Sequence, residues 1–104
     1  MDTLTRLEQT IAQRASASPD SSYVAKLNAK GIETIAKKLG EEATETVIAA
    51  LVQGADELIG ESADLLFHLL VLLQARGVSV EQVMAELDRR EGVSGLAEKA
   101  SRSE

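Results

Sequence analysis

Four carboxylates in two short runs are the residues of this chain best spaced for chemistry. Residues 40–47 read GEEATETV, with Glu41, Glu42 and Glu45; fifteen residues after Glu45 comes the second run, GESADLLFH, with Glu61 and Asp64 three apart. On a helix turning about 100° per residue, Glu42 and Glu45 stand about 60° apart. They share an arc with Ile35, Lys38 and Ala49, while Glu33, Lys37 and Thr44 occupy the opposite, solvent-type side and Glu41 sits at the boundary. In the second run Glu57, Glu61, Asp64 and His68 make one stripe that continues into Leu72 and Ala75. Acids that lean toward an apolar face are costly unless something pairs with them. A hard divalent cation is one such partner, because carboxylate oxygens and water are what Mg²⁺ takes. The competing reading is a solvated helix face on which Lys37 and Lys38 neutralise the glutamates at short range, and spacing alone leaves both open.

The elements that must position these acids all read helical. Leu4, Leu7 and Ile11 recur at helical spacing and predict a first helix ending before SASPDSS, which holds the only proline, Pro19. Ser21 or Ser22 can cap a second helical stretch from Tyr23, which Gly31 kinks or breaks before it continues to a stop at Gly54. A third helix is expected from about residue 56 to 75, ending at Gly77. Ser79 with Gln82 forms a capping box for a fourth, VEQVMAELDRR. From about residue 91 the segment is rich in Gly, Ser and charge and reads as a loosely held, mobile tail. The expectation is therefore an all-α subunit of about four helices, one domain over residues 1–104. Helices joined by a short turn are commonly antiparallel neighbours, and folding back at Gly54 brings the Glu42–Glu45 pair level with Glu61 and Asp64. From Leu65 to Leu73 the third helix is apolar on nearly every side except at His68, so it must be covered on every side. Four short helices do not achieve that alone, which predicts a dimeric helix bundle, or a larger homo-oligomer.

Composition narrows the chemistry. The apolar fraction is 44 %, yet there is one Phe, one Tyr and no Trp, which disfavours modules that stack bases on aromatic platforms. A net charge of −6 lacks the basic footprint of a nucleic-acid binder. With no cysteine, disulfides, iron–sulfur clusters, thiolate zinc sites and cysteine nucleophiles are excluded. The first fifteen residues are amphipathic and mixed in charge, unlike a signal peptide, and LLFHLLVLL is too short to span a bilayer. The expected location is the cytoplasm, with no membrane partner.

The order E-E-x-x-E, fifteen residues, then E-x-x-D resembles the signature of the all-α, MazG-type nucleotide pyrophosphohydrolases. The blocks SYVAKLNAKGIETIAKKLGEEATETVIAA, ESADLLFHLLVLLQARGVSVEQVMAEL and RREGVSGLAEKASR are similar to the phosphoribosyl-ATP pyrophosphatases of histidine biosynthesis, over about residues 4–102. The resemblance implies a MazG-like helical fold and hydrolysis of phosphoribosyl-ATP to phosphoribosyl-AMP and pyrophosphate. It also implies Mg²⁺ on Glu42, Glu45, Glu61 and Asp64. Charge building on a pyrophosphate leaving group is what such an ion stabilises. Glu41 is then the candidate base for an attacking water, with a solvated helix residue as its alternative. Lys38 and Lys26 are the candidate phosphate cations, while Lys30 and Lys37 read as surface. Lys99 and Arg102 lie in a family-like block, so the tail is expected to fold over substrate. His68 reads as a buried, hydrogen-bonded structural residue, or as one that orients a carboxylate; Tyr23 either stacks on adenine or packs in the core. Two other functions fit the same residues: a house-cleaning pyrophosphohydrolase acting on free nucleoside triphosphates, and a non-catalytic helical dimerisation module.

Overall fold

The computed structural model describes residues 2–102. It contains six helices: α1 (Thr3–Arg14), α2 (Tyr23–Lys30), α3 (Ile32–Val52), α4 (Ala55–Ala75), α5 (Val80–Arg90) and α6 (Gly95–Ser101). The all-α expectation holds, and two features raise the count above four. Gly31 adopts φ 101°, a conformation open to glycine and strained for any side chain. Its N–H closes α2 on the Leu27 and Asn28 carbonyls, and α3 then starts afresh. The segment read as a loose tail carries α6, whose first turn is capped by the Ser94 hydroxyl accepting from Ala97 N–H at 3.1 Å.

Local chemistry sets the other boundaries as the sequence suggests. Asp2 caps α1 through Thr5 N–H, Ser22 caps α2 through Ala25 N–H, and Ser79 and Gln82 make the reciprocal box that starts α5. Glu8 on α1 adds a second cap to α5 by accepting from Val80 N–H at 2.7 Å. The Ser22 hydroxyl is 3.5 Å from the Arg14 carbonyl, so the SASPDSS loop is tied at both ends.

The α3–α4 hairpin is the spine, and the remaining helices dress only one end of it. Ile11, Val24, Leu27, Ile35, Leu70, Val71 and Val80 form the core, with Leu4, Leu7, Phe67, Leu72 and Leu73 packed around them. Each fully buried Ile or Val there contributes roughly 1.5–3 kcal/mol over an exposed one. Toward the hairpin tip nothing covers the apolar side chains. Val47, Ile48, Leu51, Val52 and Ile59 are all exposed, Leu51 and Val52 by 77 % and 76 %. The Cα radius of gyration is 15.7 Å, against about 13 Å for a self-sufficient domain of this length. The accessible surface is 7108 Å² for 11.1 kDa, roughly 1,400 Å² more than a folded monomer of that mass exposes.

Helix α4 has 21 residues and an 18-residue window of mean hydropathy 1.5, long and apolar enough to cross a membrane by length and composition. The apolar run within it is short, as the sequence shows, but the helix that carries it is not. Its polar stripe of Glu61, Asp64 and His68 is engaged by α3 and α2 instead, an arrangement suited to the core helix of a bundle.

Candidate metal centre

The hairpin brings Glu42 and Glu45 on α3 against Glu61 on α4. One carboxylate oxygen from each of the three lies within 4.8 Å of the others. Glu42 is only 8 % exposed, Glu61 is half-buried and Glu45 faces solvent. The wheel separates Glu42 from the wet face correctly, because it shares its arc with Ile35 and Ala49, both buried, whereas Glu45, expected on the same arc, is exposed at its edge.

The acids stand chiefly against one another, since the nearby Lys38 pairs with Glu41 and feels the charge of Glu42 only as a lesser influence. Burial, and then the carboxylate of Glu45, pushes the Glu42 carboxyl above the ordinary range. Glu61 is pushed up first by its hydrogen-bonding contact with Glu45 and then by burial. Like charges in one place raise each other's proton affinity in this way. Glu42 Oε2 and Glu61 Oε2 are buried, and neither has a hydrogen-bond partner. Buried carboxylate oxygens without donors carry an uncompensated desolvation cost. Oxygen-only donors, converging charge and orphaned lone pairs fit a hard divalent cation and offer nothing to a soft one.

Asp64 stands three residues beyond Glu61, exposed, and its charge contributes to the raised values of both Glu42 and Glu61. It is near the group without being one of the three converging oxygens. Glu41 is exposed and paired with Lys38 at 3.5 Å, outside the cluster. Lys38 is half-buried, and its ammonium is held above its ordinary value first by Tyr23 and then by Glu41. Lys26 is exposed on α2, and Lys99 and Arg102 are exposed at the end of the chain. The strongest influences on Glu42 and Glu61 are burial and the neighbouring acids, not these three cations.

Two further contacts hold the site, and the sequence does not announce either. The Thr46 hydroxyl lies 2.8 Å from the Glu42 carbonyl and 3.1 Å from the Glu61 carbonyl, touching both helices at once. His68, 6 % exposed, places Nδ1 2.7 Å from the Asp64 carbonyl and Nε2 2.9 Å from the Tyr23 hydroxyl. A carbonyl only accepts, so Nδ1 carries the proton, and in the neutral ring Nε2 accepts from Tyr23. The structural reading of His68 is therefore the one the packing supports. Tyr23 and Phe67 stack at 6.1 Å, and both meet the imidazole edge-on, so the chain's one Tyr, one Phe and one His are gathered beside the acids. The larger surface grooves, such as those lined by Asn28, Ile32 and Arg76 and by Glu8, Gln74 and Ser79, contain none of the acidic group.

Comparison with known proteins follows the same residues. The family model for phosphoribosyl-ATP pyrophosphohydrolase matches residues 4–91. A phosphoribosyl-ATP pyrophosphatase of Erythrobacter litoralis is 71 % identical over the whole of both chains. One from Novosphingobium aromaticivorans is 65 % identical over 96 % of this chain and 94 % of the relative. One from Dinoroseobacter shibae is 57 % identical over 98 % of this chain and all of the relative.

Proposed function

The chain belongs to the phosphoribosyl-ATP pyrophosphohydrolase family, and from that premise we propose that it hydrolyses phosphoribosyl-ATP at the acidic centre of the α3–α4 hairpin. The products are phosphoribosyl-AMP and pyrophosphate, in the second step of histidine biosynthesis, and the required ion is Mg²⁺ on Glu42, Glu45, Glu61 and Asp64. The observation that carries this reading is the convergence of Glu42, Glu45 and Glu61 with two buried oxygens left without a donor. When bound, the ion supplies charge neutralisation and a fixed orientation for the triphosphate during cleavage between its α and β phosphates.

The chain's own groups do the rest. Glu42, Glu45 and Glu61 would hold the ion from two helices, and Asp64, one turn further along α4, would add the fourth carboxylate. Lys38, one turn before Glu42, meets the phosphate chain. Its present partner is Glu41, so an arriving phosphate competes for the ammonium and frees the Glu41 carboxylate. Glu41 then takes a proton from the attacking water while the phosphoanhydride bond breaks and pyrophosphate leaves with its electron pair. Lys26, Lys99 and Arg102 supply outer positive charge once substrate draws them in.

The working form is a homodimer or a larger homo-oligomer acting in the cytoplasm, with neither nucleic acid nor membrane as partner. A stable interface covers about 800 Å² per partner or more. The surplus surface here exceeds that, and the bare side chains from Val47 to Ile59 contribute to it.

Pyrophosphate release from phosphoribosyl-ATP, with and without Mg²⁺ and beside a panel of plain nucleoside triphosphates, tests the reading. Turnover of phosphoribosyl-ATP that needs the ion and exceeds that of dUTP or dCTP is expected. Equal or better turnover of a deoxynucleotide overturns the substrate, and full activity in a chelator overturns the metal.

A further inference from the structure

A helical threonine hydroxyl ordinarily bonds back to the carbonyl four residues earlier in its own helix. Thr10 does so to Arg6 at 3.1 Å and Thr44 to Gly40 at 3.2 Å, and neither reaches another helix. Thr46 behaves differently. It bonds back to Glu42 in the usual way, and the same hydroxyl is 3.1 Å from the carbonyl of Glu61 on α4. A hydroxyl has one proton, so that proton is shared between the backbones of two residues whose side chains converge on one point.

That contact fixes a distance. It requires the α4 backbone to approach the α3 side chain directly, at the level where Ala49 is almost wholly buried and adds no bulk. Mg²⁺ takes oxygens at 2.0–2.1 Å with near-ideal octahedral geometry, so neighbouring ligand oxygens belong about 3 Å apart. The three carboxylate oxygens lie within 4.8 Å of one another, and how near the two helices stand decides whether they close. The geometry points to Thr46 as a positioning residue for the cation: its hydroxyl clamps α3 to α4 at Glu42 and Glu61 and sets the span their carboxylates must bridge.

Removing the hydroxyl leaves no backbone carbonyl orphaned, because Glu42 and Glu61 both lie inside helices whose own N–H groups bond those carbonyls. The isosteric Thr46→Val therefore preserves volume and the metal-free fold while deleting the clamp. This inference rests on the acidic centre being a metal site, and the experiment separates the two. The rise in unfolding temperature on adding Mg²⁺ or Mn²⁺ is measured with calorimetric metal affinity, for wild type, Thr46→Val, Thr46→Ser and Thr46→Ala.

The expected result is wild-type and Thr46→Ser binding alike, with Thr46→Val and Thr46→Ala weaker by about ten-fold. The metal-free unfolding temperature of Thr46→Val stays near that of wild type. Wild-type affinity in Thr46→Val overturns the clamp alone, whereas a wild-type chain with no metal response overturns the site and the clamp with it. Should Thr46→Val fail to fold, the Ser and Ala variants still isolate the hydroxyl. Equal affinities in those two overturn the inference, and a deficit confined to Thr46→Ala sustains it.

Discussion

The Tyr23 hydroxyl donates to His68 Nε2 at 2.9 Å, across 45 residues of sequence, and the other nitrogen of that ring is bonded to the Asp64 carbonyl. The first residue of α2 is thereby joined to the turn of α4 that carries an acid of the candidate site. The bond also has a cost when broken, because the imidazole is buried.

Tyr23→Phe keeps the ring stacked on Phe67 and removes only the donor. Leaving His68 Nε2 without its partner should destabilise the fold by about 1–3 kcal/mol. For a domain of this size each kcal/mol lowers the unfolding temperature by about 4–8 °C. Thermal unfolding at fixed protein concentration measures it, and an unchanged midpoint would mean that water replaces the phenol at no loss.

The raised carboxyls give a pH dependence of definite sign. Glu42 lies above its ordinary value of 4.5 because of burial and Glu45, and Glu61 above the same value because of Glu45 and burial. Below the ordinary value both groups are protonated in folded and unfolded chains, and the effect is absent. As pH rises from there through the raised values, the folded state holds its protons longer, so metal-free stability falls. Glu42→Gln removes part of that loss. In chelator it should match wild type near pH 4.5 and be the more stable near neutrality, and in Mg²⁺ the order should reverse. Parallel unfolding curves of the two proteins across that range would count against the charge repulsion.

Asp64 separates a three-carboxylate site from a four-carboxylate one. Glu45→Gln takes out the acid that contacts both others and should reduce turnover to background. Asp64→Asn should cost about 100-fold if Asp64 closes on the ion as proposed. A loss below a few-fold would restrict the ligand set to Glu42, Glu45 and Glu61. Initial rates at saturating and limiting Mg²⁺ distinguish lost affinity from lost rate.

Leu51→Glu puts a charge in the middle of the bare hairpin tip. If a second copy covers that surface, the mass in solution should drop from about twice 11.1 kDa or more to a single chain. Light scattering on the eluting peak reads this directly. An unaltered assembly would place the interface elsewhere.

Much of the site is legible in the sequence because helical periodicity is regular. Once GEEATETV is helical, Glu42 must face the way Ile35 and Ala49 face, with Glu45 at the edge of that arc, and a turn at Gly54 fixes which residues of the next helix they meet. What periodicity does not contain is the distance between helices. Thr46 looks like any polar helix residue until α4 lies close enough to share its proton, and Tyr23 and His68 are brought together only by the packing of α2. Glu41 is the converse case. It stands beside Glu42 in sequence, yet the turn of the helix points it to solvent, where it pairs with Lys38. In the segment after residue 91 the Ser94 hydroxyl caps α6.

The gathering of the aromatic residues has an experimental use. With one tyrosine and no tryptophan, the intrinsic ultraviolet emission of the unlabelled chain comes from a single phenol. That phenol is hydrogen-bonded to the buried ring of His68, one helical turn from Asp64. Its emission therefore reports on the contact between α2 and α4, and titrating the native protein with a cation, or with pyrophosphate, tests whether binding at the acids reaches it.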